Sequence, residues 1–202
     1  QEGCYKYHFI FTHAHWDHVM GFPFFEPILS KHAELFIYRH PIHGDFRKTV
    51  FPRLMSPPNF PLKFKEIAAK AHCMENDDSG FKIGSVDISH IPTSHPNQGT
   101  GYKFSEDGKS FVFLTDNELG WIHPGGLSAD DYVSFCSGSD LLIHDAEYTA
   151  EEYAARKGWG HSSYVDTVNL ACRAGVHKLG LFHLNQNRSD DEMDRIAEAG
   201  NR

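Results

Sequence analysis

The pattern of apolar and polar positions starts with strand-like runs and later turns into an alternation of helix and strand. The aromatic-rich run that ends at Phe11 (Tyr-Lys-Tyr-His-Phe-Ile-Phe) reads as a buried strand reaching Thr12 and feeding a polar, histidine-laden turn. Leu35-Phe-Ile-Tyr38 reads as a second strand. The Pro- and His-rich stretch at about 40–61 reads as an irregular loop excursion over the surface. Further strands are expected at Phe81-Lys-Ile-Gly, Val86 to Ile91, Tyr102 to Phe104 and Ser110 to Leu114, with a hairpin turn at Glu106-Asp107-Gly108-Lys109. Ser128 opens a short helix with Asp131 in its first turn, and Leu141-Leu-Ile143 is an apolar strand running into His144-Asp145. Tyr164, Val165, Val168, Ala171 and Cys172 form one helical stripe that stops at Gly175, and a strand follows from Lys178 to Phe182. Ser189-Asp-Asp-Glu192 has capping-box spacing and starts a last helix that runs to about Ala199. Without repeat or linker, this order predicts a layered α/β architecture in a single domain, 1–202.

Length and charge narrow the class. At 202 residues the chain is long enough for a sizeable core. Its net charge of −8 counts against a broad phosphate-binding face, so long nucleic acid is not expected as a partner. No apolar run approaches a membrane span and Gln1-Glu2-Gly3-Cys4 lacks the features of a signal peptide, so a cytoplasmic protein with no membrane partner is expected. Cys4, Cys73, Cys136 and Cys172 are widely spaced and form no CxxC pair, and read as reduced, mostly buried thiols. Histidine is the unusual component, with 15 copies.

Three of those histidines and an aspartate lie in Thr12-His13-Ala14-His15-Trp16-Asp17-His18, directly after a strand. A solvated loop is the plain alternative, but four good ligands at this density point to two adjacent metal sites, with His13 and His15 facing one way and Asp17 and His18 another. This HxHxDH motif, the histidine of Thr93-Ser94-His95-Pro96, the aspartate of Leu114-Thr115-Asp116 and the strand-end histidine of Leu181-Phe182-His183 together resemble the ordered ligand set of the metallo-β-lactamase superfamily. The resemblance covers nearly the whole chain. It implies a four-layer αββα sandwich with the metals at one edge. Only 12 residues precede His13, so the sandwich would lack its N-terminal strands in this chain. By the same resemblance His13, His15 and His95 hold one ion, Asp17, His18 and His183 hold the other, and Asp116 bridges them. These ligands suit Zn²⁺ best, with Mn or Fe as alternatives.

Leu141 to Thr149 and Gly160-His161-Ser162-Ser163 are similar to paired motifs of the tRNA 3′-processing endonucleases and related phosphodiesterases. The resemblance places Asp145 beside His161 and His161 against the scissile phosphate. The chain departs from those relatives in two places. Leu184-Asn185-Gln186 follows His183 where a second histidine and an aspartate are common, and the 20 residues between His95 and Asp116 leave no room for a substrate-clamping arm.

The expected chemistry is hydrolysis of a small cyclic or nucleotide-like phosphodiester by a hydroxide shared between two metals. Asp17 orients the hydroxide, and His161, biased towards protonation by Asp145, acts on the phosphate or leaving group. A carboxyl-ester, thioester or lactam hydrolase is the nearest competitor, and a non-catalytic di-iron sensor is the rival from another class. A homodimer is left open. His40 and His43 read as part of a loop lining the cleft, and His8, His32, His72, His90, His123 and His177 as surface or packing residues.

Overall fold

In a computed structural model, residues 4–75 and 80–200 are described. The chain divides into two compact units, Gln1–Asp78 and Ser79–Arg202.

The first unit is built on a parallel three-stranded sheet in the order β1 (Tyr5–Phe9), β2 (Ala33–Tyr38), β3 (Lys70–Met74). In β2 the period of two is plain: Ala33, Leu35 and Ile37 are buried while Glu34 and Phe36 are only half-buried. Strand β1 stops at Phe9, short of Thr12. The residues from Ile10 to His15 therefore form an irregular segment that leads into a single helical turn, α1 (Trp16–Val19).

The 40–61 stretch is not a surface excursion. It contains two short helices, α2 (Phe46–Thr49) and α3 (Phe51–Leu54), and supplies Phe46, Phe51, Leu54 and Met55 to the core of this unit. Phe22 stacks on Phe51 with ring centroids 4.0 Å apart. The turn-forming residues of this stretch mask its buried aromatics, and a composition-based reading sees only the former.

The second unit carries a six-stranded sheet: β4 (Phe81–Ile83), β5 (Val86–Thr93), β6 (Gly99–Glu106), β7 (Lys109–Leu114), β8 (Leu141–Asp145) and β9 (Leu179–Phe182), in that spatial order. Pairing is antiparallel from β4 to β7 and parallel from β7 to β9. The β6–β7 turn takes the two left-handed residues that a tight hairpin needs, Asp107 (φ 49°) and Gly108 (φ 74°). This hairpin fills the interval between His95 and Asp116, where the sequence leaves no room for an arm.

Helix α4 (Ala129–Cys136) starts on a Ser128/Asp131 capping box. Helix α6 (Tyr164–Ala174) ends at Gly175 in the left-handed conformation. Both helices contribute to a core of Tyr132, Cys136, Leu170 and Ala171 with Val112, Leu114 and Leu142 of the sheet. Helix α5 (Ala150–Ala154), capped by Thr149, was not expected from the sequence, and neither was β3. Helix α7 (Asp190–Gly200) closes the described part of the chain. Of the cysteines, all free, only Cys136 is fully buried; Cys4 and Cys172 are exposed.

Because β5 and β7 flank β6 antiparallel to it, they run in the same direction, and β8 and β9 continue that direction. The carboxyl ends of β5, β7, β8 and β9 therefore share one edge of the sheet. His95, Asp116, Asp145 and His183 lie at or just beyond those ends.

Candidate functional site

In the first unit the motif is compact. The His13 and His15 ring centroids are 4.6 Å apart and those of His13 and His18 are 4.2 Å apart, while Asp17 Oδ2 lies 3.1 Å from His18 Nε2. His15 immediately precedes α1, whose single turn contains Asp17 and His18.

The loop is held by a residue that the sequence reading assigned to a cleft lining. His40 is buried (2% exposed), and its Nδ1 accepts the backbone N–H groups of Ile42 and His43. That fixes the proton on Nε2, which donates to the Thr12 carbonyl at 2.7 Å, next to His13. The role of His40 is structural, and no local signal in His40-Pro-Ile-His43 discloses it.

In the second unit the donors are set by strand ends and locked by buried polar groups. Asp116 (φ 52°) and His183 (φ 51°) both adopt the left-handed conformation, uncommon for residues with a side chain and concentrated at functional turns. Asp116 Oδ2 lies 3.5 Å from His95 Nε2 and 3.8 Å from His183 Nε2. These distances are long for hydrogen bonds. They match donors that share a cation, since two ligands about 2.0–2.1 Å from a tetrahedral ion lie roughly 3.3–3.5 Å apart. One ligand atom each from Asp116, Asp145, His161 and His183 lie within 4.8 Å of one another. The donor set of imidazoles and carboxylates around Asp116 therefore fits a divalent metal.

The second atom of each ring is also engaged. His95 Nδ1 donates to the Gly160 carbonyl at 2.8 Å, and His183 Nδ1 donates to Glu147 at 3.1 Å. This arrangement leaves Nε2 of both rings for the site. His161 Nδ1 donates to Asp145 Oδ2 at 2.6 Å, and its ring stacks on His183 at 4.5 Å. Burial opposes charge on His161, but the hydrogen bond and charge of Asp145 outweigh it, so its pKa lies above the ordinary value. Burial likewise opposes charge on His183, and the surrounding carboxylates of Glu147, Asp116 and Asp145 hold its pKa up to about 10. His161 and His183 thus face three carboxylates, Asp116, Asp145 and Glu147, a surround that suits a cation.

Three further residues position these groups and were not identified from sequence. Asn117 accepts the Ser94 N–H at 2.8 Å, donates to His144 Nε2 at 3.1 Å and takes the Ser162 hydroxyl on its carbonyl at 2.6 Å. His144 is fully buried, which pushes its pKa down to about 4, and its Nδ1 donates to the Asp145 carbonyl. Glu118 is buried and accepts from His123 Nε2, Tyr153 Oη, Gly158 N and Gly160 N, all within 2.8 Å. His123 is therefore a buried partner of Glu118 and not a surface or packing residue. Gly160 has φ 98°, and a Cβ there would overlap the His95 ring, so the chain can pass this point only as glycine.

Residues 8–184 match the family described as the beta-lactamase superfamily domain. Ribonuclease Z of Sulfurisphaera tokodaii is 24% identical over 93% of this chain and 73% of its own length. Among solved structures, the metallo-beta-lactamase fold protein YhfI of Bacillus subtilis superposes with a TM-score of 0.66 at 21% identity, covering 96% of this chain and 70% of that one. The short form of human tRNase Z gives 0.62 at 20% identity, covering 90% and 73%. With relatives of these names, the expectation that long nucleic acid is not a partner finds no support. No helix among the described residues is long and apolar enough to cross a membrane. The chain belongs to the beta-lactamase superfamily domain family, as a metal-dependent hydrolase of its ribonuclease Z-like branch.

Proposed function

We propose that the protein is a binuclear phosphodiesterase acting on a small, nucleotide-type diester. In this reading His13, His15 and His95 are one ligand set, Asp17, His18 and His183 the other, and Asp116 is common to both, with Zn²⁺ the ion favoured by the donors. When bound, the ions would lower the pKa of water and offset charge on the phosphoryl oxygens.

The residues of the chain supply the rest. Asp145 fixes His161 with its proton on Nδ1 and raises its basicity, which favours a second proton on Nε2. From Nε2 the imidazolium donates to a phosphoryl oxygen or protonates the leaving alkoxide as the bond from phosphorus to that oxygen breaks and the bond to the water oxygen forms. Glu147 holds His183 in its orientation, and Asp17 accepts the proton that the attacking water gives up as it bonds to phosphorus.

The observation that carries this reading is the Asp145–His161 pair beside the Asp116 cluster, which puts a charge-assisted donor next to the metal donors, where an anionic phosphoryl oxygen would bind. RNA is the second reading, favoured by the ribonuclease Z relatives. Purified protein assayed against bis(4-nitrophenyl) phosphate, 4-nitrophenyl acetate and a tRNA precursor tests both readings. Turnover of the diester supports phosphorus chemistry, and turnover of the acetate alone overturns it. Cleavage of the precursor with no small-diester activity shifts the assignment to RNA.

A further inference from the structure

Next to His161 and His183 is a cavity of about 580 Å³, inside the range of small-molecule sites. Its lining includes Arg156, Trp159 and three neutral amides, Asn185, Gln186 and Asn187. Each of these has a property that the metal site itself does not require.

Arg156 makes no ion pair among the described residues. Its guanidinium lies 5.4 Å from the Tyr148 ring centroid, and the one carbonyl it reaches, that of Glu152, is at 3.4 Å. Most of its five donors are therefore open to an anion. Trp159 is 64% exposed, yet it is not on a loose loop. The N–H groups of the glycines on either side of it, Gly158 and Gly160, both donate to buried Glu118, at 2.6 and 2.7 Å. A large aromatic face is thus held out to solvent on an anchored backbone, the arrangement of a stacking platform. The amides occupy the segment directly after His183 and bring neutral donors and acceptors to the cavity wall.

We infer that this cavity takes the nucleoside part of a mononucleotide-type ligand, with the base stacked on Trp159, its polar edges or ribose hydroxyls met by the amides, and Arg156 paired with the phosphate. The inference rests on the phosphodiesterase reading and specifies which residues select the substrate.

Isothermal titration of the full chain with adenosine 5′-monophosphate and with ribose 5-phosphate tests it. The nucleotide is expected to bind at least about tenfold tighter, the contribution of one stacked base. Trp159→Ala should erase that difference while leaving ribose 5-phosphate binding unchanged, and Trp159→Phe should keep most of it. Arg156→Gln should weaken both ligands by about tenfold. Equal binding of the two ligands by the wild type, or nucleotide binding by Trp159→Ala equal to wild type, overturns the assignment. Bis(4-nitrophenyl) phosphate turnover separates the two claims. A nucleotide preference without turnover supports the cavity and overturns the phosphodiesterase reading, and turnover without a preference overturns the cavity alone.

Discussion

In the unit Gln1–Asp78, four donor residues occupy six consecutive positions, and one buried histidine, His40, holds their loop through the Thr12 carbonyl. In Ser79–Arg202 the donors stand at the ends of strands spread along most of that unit, and Asn117, Glu118, His144 and Ser162 tie those ends together. A contiguous motif keeps its ligands close whatever the surrounding packing does. A site assembled from separate strand ends depends on every buried bond that sets their spacing, so damage should spread further in the second unit than in the first.

The largest effect is expected at His161, which lies among the donors of the second unit but is assigned to the phosphate. His161→Ala should lower kcat on bis(4-nitrophenyl) phosphate by roughly 10²–10⁴-fold with metal content unchanged. Loss of one ion would make His161 a ligand. Glu118→Ala comes next, because it leaves His123, Tyr153 and two backbone N–H groups without their acceptor. Urea unfolding should show a loss of about 3–5 kcal/mol, and an unchanged midpoint would remove Glu118 from its central place.

Glu147→Ala should weaken affinity for one ion by roughly 10–100-fold in competition with a chelator, by releasing the His183 ring; unaltered affinity for both ions would contradict that role. His40→Ala should be the mildest, at about 1–3 kcal/mol. If it costs as much as Glu118→Ala, the contrast between the units fails.

That contrast also explains what the sequence discloses. His13 to His18 are legible because local spacing alone brings them together. His95, Asp116 and His183 are legible only through the order of family motifs, since nothing local in each segment says that β5, β7 and β9 end on one edge of a sheet. Capping signals located α4, α6 and α7 to within a residue or so, because Ser128, Gly175 and Ser189 act on their own neighbours. Glu118 was invisible: three of its four donors, Tyr153, Gly158 and Gly160, come from far along the chain, and a Glu beside Asp116 and Asn117 carries no local mark of burial. The 40–61 stretch misled for the converse reason, since its prolines and glycine mark turns while Phe46 and Phe51 depend on distant partners for their burial.

The sharing of two ions by Asp116 is the claim on which the rest depends, and metal stoichiometry measured by mass spectrometry on wild type and Asp116→Ala tests it most directly. Wild type should carry two ions per chain, and the variant should lose both while its circular dichroism stays that of the folded protein. One ion in the wild type, or two retained in the variant, would contradict the assignment.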